Sequence, residues 1–267
     1  MSGGPDPSAI GPTDTAWGAS IPATVRALDR WTDLGEAPLP DLSPWFQPFI
    51  PHFVAEVLRC GGHASAAWEG DVLTGVWIYH DAEKVGTIFT RSRAVAERFA
   101  SLQGAGSLFS EIPLSVPGEL YHIYAMDLES GTGSHRFRHT VRAAEPSDAE
   151  RILPLIREIH GPIDDHWLRP ISNSEKGFLV EVSGEIAGVG WVSVVNGYAR
   201  LHALSVRPPF RRTGIASDIW YARILWARSA GARRALCEIS EGNVASRRVA
   251  EQGGMRPLGQ MFRYDRP

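Results

Sequence analysis

Alternation of apolar and polar positions marks strands at 63–68 and 72–79, turned by Glu69-Gly70-Asp71, and further strands at 85–90 and 119–127. Helical spacing of apolar positions predicts helices over 49–58 and 94–102. The run Ser130-Gly131-Thr132-Gly133-Ser134 has the composition of a flexible linker. Beyond it the pattern resumes with a strand from 140 to 143. Pro146-Ser147-Asp148 then introduces an amphipathic helix to about 160, and a short helix is expected over 164–169. Strands at 177–182 and 186–195 turn around Ser183-Gly184-Glu185, and another strand runs over 198–206. The helix that opens near Ile215 is expected to bury Ile215, Ile219, Ala222 and Trp226 on one face. A strand over 235–239, a helix ending at Gly253-Gly254 and a last strand to Tyr264 complete the reading.

The two hairpins resemble each other. Gly70-Asp71-Val72-Leu73-Thr74-Gly75-Val76-Trp77 parallels Gly184-Glu185-Ile186-Ala187-Gly188-Val189-Gly190-Trp191, and each is followed by a strand and a helix. The expected fold class is therefore α/β (α+β), with two like domains, each a mixed, mostly antiparallel sheet flanked by helices. The expected divisions are a Pro-rich, partly disordered segment over 1–44, a first domain over 45–130 and a second over 138–267. Nine of the nineteen prolines fall in the first 51 residues, which argues against long regular elements there.

Composition narrows the class of function. The 267 residues are 43% hydrophobic and 21% charged, as in a globular protein able to bury a large core. The net charge of -3 argues against general nucleic-acid binding. No apolar run approaches the ~18 residues of a membrane span, and no secretory signal is evident, so a cytoplasmic location is expected. Cys60 and Cys237 are far apart, so no disulfide framework is expected. No Cys/His cluster has metal-ligand spacing, and His135 and His139 are read as surface histidines. Charge is uneven, however: from Arg200 to Arg234 there are eight arginines and a single acid, Asp218.

That basic stretch contains the strongest local signal. Between the strand ending at Val206 and the helix opening at Ile215 lies Arg207-Pro208-Pro209-Phe210-Arg211-Arg212-Thr213-Gly214. Prolines end the strand, and glycine and small residues open the helix. Unpaired N–H groups and partial positive charge at a helix start attract anions, and arginines add donors. Neither a Walker A loop nor a Rossmann fingerprint is present. The pattern Arg211-x-x-Gly214-x-Ala216 resembles the pyrophosphate loop of the GNAT superfamily of acyl-CoA N-acyltransferases. The downstream order of strand, Asn243, Ser246, helix and Gly254 is similar too, with Met255 where the family has an aromatic residue.

The resemblance covers about 138–267 and implies acyl transfer from acetyl-CoA to an amine acceptor, a small molecule or a peptide, in a monomer or homodimer. It implies that Leu204, Ser205 and Val206 hold the pantetheine arm through their backbone. Arg211, Arg212, Thr213, Gly214, Ile215, Ala216 and Ser217 would hold the pyrophosphate, and Asn243 would bond the cofactor. On the preceding strand, residues 200, 202, 204 and 206 share a face. Arg200 cannot act as a base, whereas His202 can, with an ordinary pKa of about 6.5. The alternative role for His202 is a hydrogen-bonded core histidine. For the acceptor, Asp165, Trp167 and Trp191 are the expected contacts, with Asp164 beside them; helix capping is the competing role of the acids.

Two departures matter. The family's tyrosine acid corresponds to Ala250, leaving water, Tyr221 or Tyr264 to serve the thiolate. The first half has Phe89-Thr90-Arg91-Ser92-Arg93 where a phosphate loop would stand, so it is expected to be a degenerate GNAT-like copy without a CoA site. A CoA-binding sensor with a catalytically weak second domain is the alternative to an enzyme, and an acyltransferase using another donor, such as aminoacyl-tRNA, is a third reading.

Overall fold

A computed structural model describes residues 24–34, 42, 46–59, 61–81, 84–102, 104, 106–129, 134–160 and 175–266. Their strands join in one sheet of twelve. The first half supplies β1 (Thr24–Ala27), β2 (His63–Glu69), β3 (Val72–His80), β4 (Val85–Thr90), β5 (Gly106–Ser110) and β6 (Glu119–Asp127). The second supplies β7 (Val141–Ala143), β8 (Glu175–Val182), β9 (Glu185–Val195), β10 (Tyr198–Val206), β11 (Arg234–Ser240) and β12 (Arg256–Arg266). The helices are α1 (Ile50–Arg59), α2 (Arg93–Leu102), α3 (Ala149–His160), α4 (Ile215–Ser229) and α5 (Val244–Gln252). None is long and apolar enough to cross a membrane.

The strand order is β1-β2-β3-β4-β5-β12-β6-β11-β10-β9-β8-β7. Replacing each strand by its counterpart in the other half returns the same order read backwards. The pairing types obey the same exchange: β4–β5 and β10–β11 are parallel, and the other pairs are antiparallel. α1 and α3 occupy equivalent places, as do α2 and α4, while α5 has no counterpart among the described residues of the first half. β12 lies between β5 and β6, and β6 between β12 and β11, so each half accepts the other's last strand.

Alternation along these exchanged strands builds the central core. Ile123 of β6 and Met261 of β12 join Ile50 and Val54 of α1, and Phe49 just before it, on one face. The neighbouring Tyr124 joins Trp220 of α4 and Ala250 of α5 on the other. Each fully buried Val, Leu, Ile or Phe side chain stabilises by about 1.5–3 kcal/mol relative to exposure.

The sequence-predicted strands and helices recur with shifts of one to a few residues, but β1 and β5 were not expected. The face of α4 also differs. Its buried positions are Ile215, Asp218, Ile219, Trp220, Arg223, Ile224 and Ala227, whereas Ala222 and Trp226 are only partly buried. The expected short helix over 164–169 and Cys60 lie outside the described residues.

Candidate active site

Only the first residues of β10, Tyr198 to Arg200, pair with β11, at Arg234 to Leu236. Residues 201–206 continue along β9 but leave β11, so the two parallel strands fork. At the mouth of the fork β10 also bulges. His202 faces Trp191 and Ser205 faces Val189, so β10 carries one more residue than β9, and Ala203 takes a φ of 49°. A fork with a bulge frees backbone donors and acceptors that a regular ladder would occupy.

Beyond the fork, a single 3-10 turn over Pro208–Phe210 leads to α4. Arg211 braces this turn, its Nε donating to the Val206 carbonyl at 3.1 Å, and Thr213 Oγ1 donates to the Phe210 carbonyl at 2.7 Å. Arg212 and Gly214 have left-handed φ values of 66° and 103°. Gly214 is the N-cap of α4 and offers no side chain to the helix start, so the first N–H groups are left for an external acceptor. A Cβ at Gly214 would lie 2.9 Å from Arg138 Cδ, which places an arginine from the segment entering the second half beside the loop.

The expected cofactor residues divide by what they can offer. Arg211, Arg212 and Thr213 are exposed, and Leu204, Val206, Gly214, Ala216 and Ser217 are partly so. The side chains of Ser205 and Ile215 are buried, leaving only their backbones for binding. Asn243 caps α5, its Oδ1 accepting from the Ser246 N–H at 3.1 Å, so its amide donor is what remains to offer.

His202 sits at the bulge and is 23% exposed. Its Nε2 stands 2.7 Å from Glu175 Oε1 and 3.3 Å from Ser193 Oγ. With Nε2 protonated and donating to the carboxylate, Nδ1 carries the lone pair that accepts a proton. Neither Glu175 nor Ser193 was singled out from the sequence. Both face His202 because β8, β9 and β10 are adjacent and pair Glu175 with Ser193. Arg200 points elsewhere: its Nε donates to Glu238 at 2.8 Å, and its guanidinium lies 5.5 Å from the Phe53 ring centroid of α1. The first half thus supplies one neighbour of the site.

Several expected roles change. Trp191 is 7% exposed and packs with Ile152, Leu155 and Ile156 of α3, because its position on β9 faces that helix; it is a core residue rather than an open acceptor wall. Asp165 and Trp167, with Asp164, lie outside the described residues. Tyr264 is buried in the first half's core, where its oxygen accepts from the Leu114 N–H at 2.8 Å. Tyr221 stacks on His135 at 3.9 Å. The Tyr264 hydroxyl is thus engaged away from the fork, and Ala250 is buried among core side chains.

His135 and His139 are not loose surface groups. His135 Nε2 and His139 Nδ1 bond the buried Asp218 carboxylate at 2.7 and 2.8 Å, and the backbone N–H groups of Arg138 and His139 donate to it as well. These bonds outweigh burial and hold the Asp218 pKa below the ordinary carboxylate value. They tie the segment entering the second half to the first turn of α4. An open cleft of about 710 Å³ flanks this segment, lined by Phe137, Arg138, Phe178, Leu225 and Trp226.

Residues 145–255 match the family model for the acetyltransferase (GNAT) family. No curated protein matches the sequence. Among solved structures, a GCN5-related N-acetyltransferase from Sphaerobacter thermophilus is 16% identical, with TM-score 0.61, covering 92% of this chain and 96% of its own. A GNAT-family acetyltransferase from Colwellia psychrerythraea is 12% identical, with TM-score 0.61, 91% of this chain and 100% of its own. A tandem GNAT protein from the clavulanic acid biosynthesis pathway is 12% identical, with TM-score 0.56, covering 91% of this chain and 98% of its own. At these identities the likeness is one of fold, and it extends over both halves. Residues 145–255, the stretch that holds the forked strands and the glycine-capped helix start, are thus an acetyltransferase (GNAT) family domain.

Proposed function

We propose that the protein is an acetyl-CoA-dependent N-acetyltransferase whose chemistry resides in 138–267, behind a degenerate GNAT-like domain over 45–130. The family supports acyl transfer in general. The observation that carries the finer reading is the fork: β10 leaves β11 after Arg200 directly in front of a helix start capped only by Gly214. The cradle fits a diphosphate, since the first-turn N–H groups have no capping side chain and the exposed Arg211 and Arg212 stand beside them.

In this reading the N–H groups of 212–217, with Arg211 and Arg212, hold the pyrophosphate. The backbone of Leu204, Ser205 and Val206 lies along the pantetheine arm. Acetyl-CoA supplies an activated thioester, whose C–S bond breaks as the C–N bond to the amine forms. His202 accepts the proton released by the attacking amine, and Glu175 orients its ring and stabilises the imidazolium. Backbone N–H groups at the bulge polarise the acyl carbonyl. The acceptor is a small-molecule or peptide amine, and the protein works in the cytoplasm.

A second reading, a CoA-binding sensor with weak catalysis, draws on Ala250 standing where the family's tyrosine acid stands. A thiolate leaves well enough for transfer without that acid. Calorimetry with acetyl-CoA, followed by thiol release across a panel of primary amines, separates the two. Binding at one site with amine-dependent thiol release is the expected result. Binding without turnover on any amine favours the sensor, and no binding removes both.

A further inference from the structure

Arg223 is a large, fully buried side chain, 2% exposed, in the middle of α4. No carboxylate pairs with it in an ion pair or hydrogen bond among the described residues. Its NH1 donates to two backbone carbonyls, Trp191 at 3.1 Å and His202 at 3.2 Å. Its Nε is buried without a hydrogen-bond partner. Burial lowers its pKa to about 10, still leaving it charged at neutral pH. A buried charge held only by carbonyls is costly, and an apolar residue of similar volume would pack this helix face at less cost.

What Arg223 holds is the pair of residues at which β10 stops matching β9. His202 and Trp191 are the last regular partners before the bulge, and Ala203 follows with its left-handed φ. The guanidinium ties both carbonyls at that point from beneath. Gly190, opposite the bulge, leaves room for it: a Cβ there would lie 3.3 Å from Arg223 Cζ and NH1.

We infer that Arg223 is a positioning residue for acyl transfer: it locks the bulge of β10 and thereby sets both the backbone donors of 203–205 and the carrier strand of His202. The inference rests on the acetyl-CoA reading above. It assigns to a buried cation the stiffness that the fork cannot obtain from β11, which no longer pairs beside it.

Arg223→Met, Arg223→Lys and Gly190→Ala test it, with two readouts. The first is amide hydrogen exchange of the ligand-free protein. Arg223→Met should speed exchange at 202–206 at least tenfold while the central strands β6 and β12 stay unchanged. The second is a comparison of kcat with the acetyl-CoA Kd. Arg223→Met should lower kcat about 30-fold with Kd moved less than threefold, because the phosphate loop is untouched. Arg223→Lys should recover part of kcat, and Gly190→Ala, which crowds Ile219 Cγ2 at 3.1 Å as well as the guanidinium at 3.3 Å, should lower kcat a few-fold. If Arg223→Met fails to fold, the lysine and alanine variants carry the test through the same readouts. Equal loss of kcat and binding, exchange that rises uniformly over the sheet, or kcat within threefold of wild type in all variants overturns the inference. Wild-type protein that binds no acetyl-CoA overturns the acetyl-CoA reading instead, and the positioning role falls with it.

Discussion

In the first half the parallel pair β4–β5 is joined from Val85 opposite Ser107 to Ile88 opposite Ser110, four of the six residues of β4. In the second, β10 leaves β11 after Arg200 and runs on to Val206 paired with β9 alone. The helix starts differ in the same sense. Before α2, Thr90 is buried and its hydroxyl donates to the Thr74 carbonyl at 2.6 Å while accepting from the Ser92 N–H. Ser92 in turn accepts from the Val95 N–H. Before α4, Gly214 contributes no side chain. One junction has stitched itself shut with hydroxyls, and its equivalent keeps its donors open. A strand-helix junction can be structural or ligand-binding within one sheet, and the choice lies in a few residues that either satisfy the backbone or leave it unsatisfied.

The largest expected effect comes from making the open junction resemble the closed one. Gly214→Val places a β-branched residue at φ 103° with its Cβ against Arg138, and should weaken acetyl-CoA binding about 100-fold by calorimetry. Next, His202→Ala should lower kcat about 100-fold with acetyl-CoA affinity retained, since proton transfer and not cofactor binding is removed; unchanged kcat would leave His202 a core histidine. Glu175→Gln should cost about tenfold in kcat, the worth of one charge-assisted hydrogen bond.

Smaller effects compare the frames of the halves. From β7, Arg142 donates to Asp148, whose side chain is 5% exposed, and holds its pKa at about 2. After β1, Arg30 pairs with Asp33 with the arginine 78% exposed. A depressed carboxylate pKa stabilises above the unfolded value of about 4 and loses that contribution as pH falls toward 2. Asp148→Asn should therefore cost about 1 kcal/mol at pH 7 by urea denaturation, after allowing for the partial exposure of Arg142, and should flatten the loss of stability between about pH 4 and 2. Asp33→Asn should leave the urea midpoint in place. Finally, Ser92→Gly frees the start of α2, but calorimetry should still find one acetyl-CoA per chain, because β4 and β5 remain paired. A second binding site in that variant would show that the cap alone closes the first half.

Period and turn chemistry made most of this architecture legible. The hairpins, the strand over Tyr198–Val206 and the helix starting at Ile215 could be placed because their apolar stripes and breakers agree. β1 was hidden among prolines, and β5 is a short strand opened by Gly106. The exchange of β6 and β12 carries no local signal, since pairing partners are chosen across the chain. At the site, the loop was readable from Arg211, Gly214 and Ala216, and His202 from its place on the strand face. Glu175 was not, because it meets His202 only through the registry of three strands. Arg223 did leave a trace: it continues the stripe of Ile215 and Ile219 one turn further, a charged residue where the spacing calls for an apolar one. The Asp218 clasp was missed because an acid in the first turn of a helix has an ordinary explanation in the helix dipole.

The interleaved order of strands has a consequence for biosynthesis. During translation, β1 to β5 emerge long before the segment that completes their sheet, because the strand beside β5 is β12, residues Arg256–Arg266. Until that segment clears the ribosome, β5 carries an unpaired edge and Tyr264 has yet to fill the core around Trp77 and Phe99. Most domains can fold as they leave the tunnel. Here the nascent first half waits for the second, and a ribosome that stalls before Arg256 leaves both halves unfinished.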